Sequence, residues 1–283
     1  MGTAKRQRKK DFRQARVEAA MASQQRRRRI RLGINFGLFT LALVGVLAWL
    51  SFRGDGDEEA ASTTAAASDP APCPELDGSS EPRLDFPAPP PMCIDPANVY
   101  NAVFDTSEGV VRVALDTATT PNTTNNFVFL SLYHYFDGTQ IFRTDPSIGI
   151  IQGGSPHTND NSDPGPGYTI PDEPADQFVW DDPSFPQGKG PFTYEAGDLV
   201  MARSAGPDSS GAQFFFGVDQ NVAGLDSQGT YIRFGQTSER LDILQNILAL
   251  HQADPTSQLG GAPSRPVTIN QVIIEVVPAE VAG

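Results

Sequence analysis

The sequence predicts a mainly β domain that follows a single membrane-spanning helix, and three features of the 283 residues support this. Short apolar segments that alternate with polar residues are separated by glycine and proline turns over the last two thirds of the chain. In the same region, only two segments have the spacing of an amphipathic helix. Near the N-terminus, one long apolar segment carries no charge.

The uncharged segment runs from Leu32 to Phe52 and is bounded by Arg31 and Arg53. At about 1.5 Å per residue, a helix of this length spans roughly 30 Å, the thickness of a bilayer core. Trp49 lies near its far end, where interfacial aromatic residues are common. We therefore expect a single-pass membrane anchor. A cleaved signal peptide is the alternative, but the apolar run is longer than usual and no small-residue cleavage site follows it.

Charge is distributed unevenly on the two sides of this segment. The chain has a net charge of -13, but residues 1–31 contain twelve Lys or Arg and only two acids. Because basic residues flank the cytoplasmic end of a membrane helix, we expect a basic cytoplasmic tail at 1–31 and an extracytoplasmic location for everything after the anchor. A basic tail could also bind nucleic acid, but this one lacks interleaved aromatic residues, so we expect no nucleic-acid partner.

Residues 53–98 are expected to form an Ala/Pro-rich linker. Acidic and Ala/Ser/Thr-rich runs are followed by five prolines between positions 82 and 91, which disfavour regular structure. The two cysteines of the chain, Cys73 and Cys93, both fall here. An even pair in an oxidising compartment favours a disulfide, and two free thiols are the alternative. Two ligands without a CxxC spacing do not make a zinc site, so we expect no metal.

The folded domain is expected over 99–278. Strands are predicted at Asn101–Thr106 and Val110–Leu115, joined by a turn that contains Gly109. A helix is predicted to begin at Pro121, after a cap at Thr120.

A second helix is predicted from about Glu239 to Leu250, because leucines recur there with helical spacing. A closing strand is predicted from alternating apolar residues: Val267, Ile269, then Val272, Ile274 and Val276. Many short strands with Gly/Pro turns fit a barrel or a sandwich, and these physical patterns leave both open.

Two segments carry most of the functional information. The first is Ile141–Arg143 with Ile150–Gly154, and the second is Met201–Pro207 running into Ser210–Phe216. They resemble the active-site segments of a cyclophilin, a peptidyl-prolyl cis-trans isomerase. Further matching segments follow in family order over about 99–278: Phe127–Leu130, Tyr135–Thr139, Pro166–Glu173, Gly197–Leu199, Leu225–Asp226 and Tyr231–Gly235.

The resemblance implies a closed, eight-stranded antiparallel β-barrel capped by two α-helices. It also implies an isomerase without a cofactor that acts on proline-containing polypeptides, here helping exported proteins to fold. Arg143 matches the catalytic arginine of the family and Gln152 the glutamine that supports it. The positions that match substrate-binding residues are Ile150, Ser204, Ala205, Gln213, Phe215, Leu225 and Tyr231, and Arg203 is the alternative to Ser204.

Some of these residues also have an interpretation that involves neither catalysis nor binding. Arg143 could be a surface arginine at a strand end, and Phe215 could be a plain core aromatic. Gly149 and Gly224 stand where many members of the family carry aromatic residues. For this reason, a proline-peptide binding or chaperone module with little turnover is the alternative function.

Overall fold

The computed structural model describes residues 69–257 and 259–279. The predicted cytoplasmic tail, the predicted membrane anchor and the first part of the predicted linker lie outside these residues. Among the described residues, none of the helices has both the length and the apolar character needed to cross a membrane.

Within the described residues, ten strands form one antiparallel sheet. The spatial order of the strands is β10-β1-β2-β7-β5-β6-β4-β3-β9-β8. Their bounds are Val99–Thr106 (β1), Gly109–Leu115 (β2), Arg143–Asp145 (β3), Ile150–Gly153 (β4), Asp198–Arg203 (β5), Ser210–Gly217 (β6), Arg233–Gln236 (β7), His251–Ala253 (β8), Gly261–Pro263 (β9) and Ile269–Val277 (β10).

The strand count differs from the eight that were predicted, partly because of two short strands, β8 and β9, which pair with each other beside β3. The sheet curls round the core. Irregular segments, rather than a strand ladder, join its two sides: the N–H groups of Gly138 and Ile141 donate to the carbonyls of Ile269 and Val267, and Ile269 N–H donates to Thr139.

The two predicted helices are present, as α1 (Pro121–Leu132) and α2 (Leu241–Ala249). Thr120 is the residue before α1, as predicted, but its hydroxyl donates to the Asp116 carbonyl and makes no cap bond to the helix. Instead, the Glu173 carboxylate accepts the backbone N–H groups of Asn122 and Thr123. A distant acid therefore satisfies the free donors of the first helical turn.

The core lies between the curled sheet and α1. Alternate residues of β1 and β2 point inwards, and ten consecutive residues of α1 are buried. The closing strand follows the predicted alternation with a change of phase, because the ladder between β1 and β10 skips Asn270. This irregularity explains why Ile269 and Val272 both face the core although three residues separate them. Aromatic rings fill the centre of the core: Phe104, Phe127, Phe136, Phe214, Phe216 and Phe234.

Residues 69–98 contain almost no regular structure, yet they pack against the domain. The predicted disulfide between Cys73 and Cys93 is present. Between the two cysteines, Phe86 is 4% exposed, and its ring lies 5.0 Å from Phe129. Its N–H donates to the Pro166 carbonyl over 2.8 Å. The folded unit therefore begins earlier than the predicted residue 99, because burial of this aromatic holds the proline-rich segment in place.

Candidate active site

Three neighbouring strands place an arginine, a glutamine and an aromatic side by side. Arg143 of β3 pairs directly with Gln152 of β4, and Gln152 pairs with Phe215 of β6. Side chains of directly paired residues lie on the same face of a sheet. These three therefore point into one groove, which has a volume of about 440 Å³.

Three hydrogen bonds fix the guanidinium of Arg143. Its Nη1 donates to Gln152 Oε1 over 2.8 Å, and its Nη2 donates to Asp145 Oδ2 over 3.1 Å. Its Nε donates to the carbonyl of Leu259 over 2.5 Å. The side chain is 14% exposed, so Arg143 is not a surface arginine at a strand end.

Gln152 extends this network across the groove. Its Nε2 donates to Gln213 Oε1 over 2.9 Å and to Asn161 Oδ1 over 3.2 Å. The amide is 4% exposed and bonded at both ends, so its oxygen is fixed towards Arg143. A chain of donors therefore connects Arg143 with Gln213.

Apolar side chains line the other part of the groove. Phe215 and Tyr231 pack edge to face, with ring centroids 5.5 Å apart, and Ile150 and Leu225 lie beside them. Phe214 and Phe216 point the other way, into the aromatic core. The alternation along β6 therefore directs Phe215 alone of the three into the groove, which settles the choice between core and groove for this residue.

The structure brings together eight of the nine residues that the sequence places in the site. Ala205 is the exception. It is exposed and lies in a neighbouring depression with Trp180, Gly206 and Pro207. The lining of the groove includes these eight: Arg143, Ile150, Gln152, Ser204, Gln213, Phe215, Leu225 and Tyr231.

Arg203 forms the wall between the groove and the depression. Its guanidinium carbon lies 4.4 Å from the centre of the Trp180 ring and 5.5 Å from that of Tyr231. Nη1 donates to the carbonyls of Ser204 and Gly206. Burial lowers the pKa of Arg203 from its usual value. No local pattern around Arg203 could indicate this role, because its aromatic partners, Trp180 and Tyr231, come from distant loops.

Many family members have an aromatic residue near position 149, but the backbone at Gly149 does not accommodate a side chain. Its φ is +61°, and a Cβ there would lie 2.3 Å from Asp219 Oδ1 and 3.2 Å from the backbone nitrogen of Val222. Gly149 is thus required by a tight turn. Gly224, by contrast, has open space around it.

Comparison with known proteins places this geometry in a family. Residues 102–274, more than half of the chain, match the family model described as cyclophilin type peptidyl-prolyl cis-trans isomerase/CLD. The chain belongs to the cyclophilin family. The fold agrees, since a cyclophilin type isomerase from Cryptosporidium parvum superposes with a TM-score of 0.50 at 22% identity, covering 64% of this chain and 99% of that one.

Curated cyclophilins are similar over part of the chain. A protein named probable peptidyl-prolyl cis-trans isomerase B from Mycobacterium leprae is 37% identical over 124 residues, which are 43% of this chain and 40% of that protein. A peptidyl-prolyl cis-trans isomerase from Synechococcus elongatus is 35% identical over 138 residues, 49% of this chain and 80% of that one. The chain thus spans about two fifths of the mycobacterial cyclophilin.

The charge state of Asp145 matters for this cyclophilin because its carboxylate contacts Arg143. Burial alone would raise the pKa of Asp145, but hydrogen bonds from Ser147 and Arg143 outweigh burial and hold the pKa below its usual value. The carboxylate therefore remains ionised at neutral pH. Among residues 69–257 and 259–279, no cluster of His, Cys, Asp and Glu has a geometry suited to a metal ion.

Proposed function

We propose that this protein is a peptidyl-prolyl cis-trans isomerase in which Arg143 stabilises the twisted prolyl bond. The single observation that carries the proposal is the fixed guanidinium of Arg143, which lies in the same groove as an apolar surface. Family membership over residues 102–274 supports it.

The chemistry needs a fixed hydrogen-bond donor. A prolyl amide rotates slowly because the nitrogen lone pair is delocalised into the carbonyl, which raises a barrier of about 18–20 kcal/mol. In the twisted transition state that lone pair is localised on nitrogen. A donor aimed at the nitrogen then stabilises the transition state more than either planar state. Arginine suits this task because it is always charged and only donates.

The remaining groove residues would hold the substrate. The proline ring fits against Phe215, with Tyr231, Ile150 and Leu225 around it, since these side chains form the apolar part of the groove. Gln213 lies at the polar side, within the same hydrogen-bond chain as Arg143. In this arrangement, the prolyl nitrogen lies beside the guanidinium when the ring is buried.

We further propose that the substrates are exported polypeptides and that the domain works outside the membrane. This part rests on the apolar segment Leu32–Phe52, on the basic residues before it and on the Cys73–Cys93 disulfide, a bond typical of oxidising compartments. Protease added to intact cells should release a fragment that begins between residues 54 and 72, because the Cys73–Cys93 bond would keep a chain that is cut between the two cysteines attached to the anchor. A released chain that begins soon after Trp49 without protease would instead indicate cleavage of a signal peptide.

The catalytic role is tested with Arg143→Ala in the full chain. Losing one transition-state donor should lower kcat/KM for a proline-containing peptide by about 100-fold or more. The melting temperature is measured alongside, because the substitution also removes the counter-charge of Asp145. Arg143→Lys should also be poor, because a point charge lacks the guanidinium fork. The matched control is Arg112→Ala, which removes an exposed strand arginine paired with Glu275. Unchanged activity in Arg143→Ala contradicts the mechanism.

A second candidate is a proline-peptide binding module with little turnover. The feature that favours it is that glycine stands at positions 149 and 224, where many members of the family carry aromatic residues. The same assay separates the two functions. A binding module would retain proline peptides without accelerating their isomerisation, and Arg143→Ala would then change only the affinity.

A further inference from the structure

Asp145 joins the candidate catalytic arginine to the turn that follows β3. Asp145 and Arg143 are two residues apart on one strand, so their side chains lie on the same face. Asp145 Oδ2 accepts from Arg143 Nη2, and both side chains are largely buried. Asp145 Oδ1 accepts the backbone N–H of Ser147 over 3.1 Å and its hydroxyl over 2.6 Å.

A second segment packs against the same carboxylate. Gly260 approaches so closely that a Cβ there would lie 2.7 Å from the Thr144 carbonyl oxygen and 2.9 Å from Asp145 Cβ. This close approach places the preceding residue, Leu259, where its carbonyl accepts from Arg143 Nε. The Asp145 side chain therefore lies where the β3 turn, the Leu259 segment and the guanidinium meet.

The arrangement uses some of the donors of Arg143 and leaves others free. A guanidinium has five N–H groups. Among the described residues, three of the five are bonded, to Gln152, Asp145 and Leu259. One N–H on each terminal nitrogen remains for a substrate. Fixing a long side chain costs up to about 2 kcal/mol of rotamer entropy, and here that cost is met before a substrate binds.

A partly buried guanidinium also needs a counter-charge. Without one, removal of the cation from water is unfavourable, and the side chain would turn towards solvent. The ionised carboxylate of Asp145 offsets this cost while it leaves the groove-facing N–H groups unoccupied. Gln152 is neutral and cannot do the same.

We propose that Asp145 is a positioning residue that holds Arg143 in its transition-state orientation. The inference rests on the proposed role of Arg143. Asp145 acts through the guanidinium and does not itself touch the substrate, so its removal should affect kcat more than KM.

The test compares Asp145→Ala and Asp145→Asn with the wild type in the full chain. Asp145→Ala should lower kcat by about 10- to 100-fold, as expected for a misplaced catalytic group, with KM within about twofold. Asp145→Asn keeps one acceptor oxygen, so its kcat should lie between that of the wild type and that of Asp145→Ala. The matched control is Asp242→Asn, since Asp242 pairs with Arg240 at the same spacing on an exposed surface. This control should retain wild-type activity.

A double-mutant cycle with Arg143→Ala separates positioning from general structural support. If Asp145 acts through Arg143, adding Asp145→Ala to Arg143→Ala should cause no further loss of activity. An equal loss in both backgrounds overturns the inference, as does a wild-type kcat in Asp145→Ala when Arg143→Ala is inactive. Full activity in Arg143→Ala would instead refute the proposed function. If Asp145→Ala does not fold, Asp145→Asn takes its place in the cycle.

Discussion

Phe86 should contribute as much to stability as a central core residue, although it lies in a proline-rich segment without helix or strand. Its ring packs on Phe129, Tyr133 and Tyr168 at centroid distances of 5.0, 5.3 and 6.3 Å. The Arg83 guanidinium lies 4.9 Å from the ring centre. Replacing a buried phenylalanine with alanine commonly costs about 3–5 kcal/mol. We expect Phe86→Ala to lower the free energy of unfolding by that amount.

The measurement is urea unfolding of the full chain, monitored by fluorescence. Leu76→Ala is the control in the same segment, because Leu76 is 51% exposed and should change the free energy of unfolding by less than about 0.5 kcal/mol. A change below about 1 kcal/mol for Phe86→Ala would mean that residues 69–98 are a tether after all. A loss of isomerase activity in still-folded Phe86→Ala would trace to Pro166 and Tyr168, which line the groove and contact Phe86.

Two further predictions concern titration and the disulfide. Burial raises the pKa of Asp198 to about 6, and its Oδ1 has no hydrogen-bond partner among the described residues. The stabilisation from the protonated form of Asp198 should be complete below about pH 4 and be lost as the pH rises through 6. Asp198→Asn should therefore raise the melting temperature more at pH 8 than at pH 5. If the difference in melting temperature between the two proteins is the same at both pH values, this prediction is contradicted. Reduction of Cys73–Cys93, which are 20 residues apart, should lower the stability of the whole folded unit by about 3 kcal/mol in a single transition. Separate melting of the N-terminal segment in calorimetry would argue against its integration.

The periodicity of apolar residues predicted the strands and helices that are long enough to show a repeating pattern. Strands β1, β2 and β10 and helix α2 have several apolar residues on one face, and each was located within a few residues. Helix α1, which is buried all round, was located by the proline at its first position. Strands β8 and β9 have three residues each, too few for an alternation to be recognised. The prolines between 82 and 91 correctly predicted an irregular backbone, but an irregular backbone can still be packed when it carries a buried aromatic such as Phe86.

The residues of the candidate site were also predicted best where they lie on regular elements. Five of the eight groove residues lie on paired strands, as Gln152 does opposite Phe215. The other three, Ser204, Leu225 and Tyr231, lie in the segments that connect the strands. Ala205 departs from the groove because it lies in an irregular loop, where the Ser204 carbonyl is bonded to Arg203 and Ser209. The Leu259 carbonyl is 116 residues from Arg143, and no local pattern could reveal that contact. The contact with Asp145 could have been predicted, because residues two apart on a strand lie on the same face.

The Cys73–Cys93 bond also determines how a pull on the N-terminal side of the chain would travel through the molecule. Tension that arrives at Cys73 crosses the sulfur–sulfur bond to Cys93 and continues towards β1, because this covalent path bypasses the residues between them. Phe86, which lies behind the groove wall, belongs to the bypassed loop and carries no load. The groove would therefore keep its shape whether the preceding chain is slack or stretched.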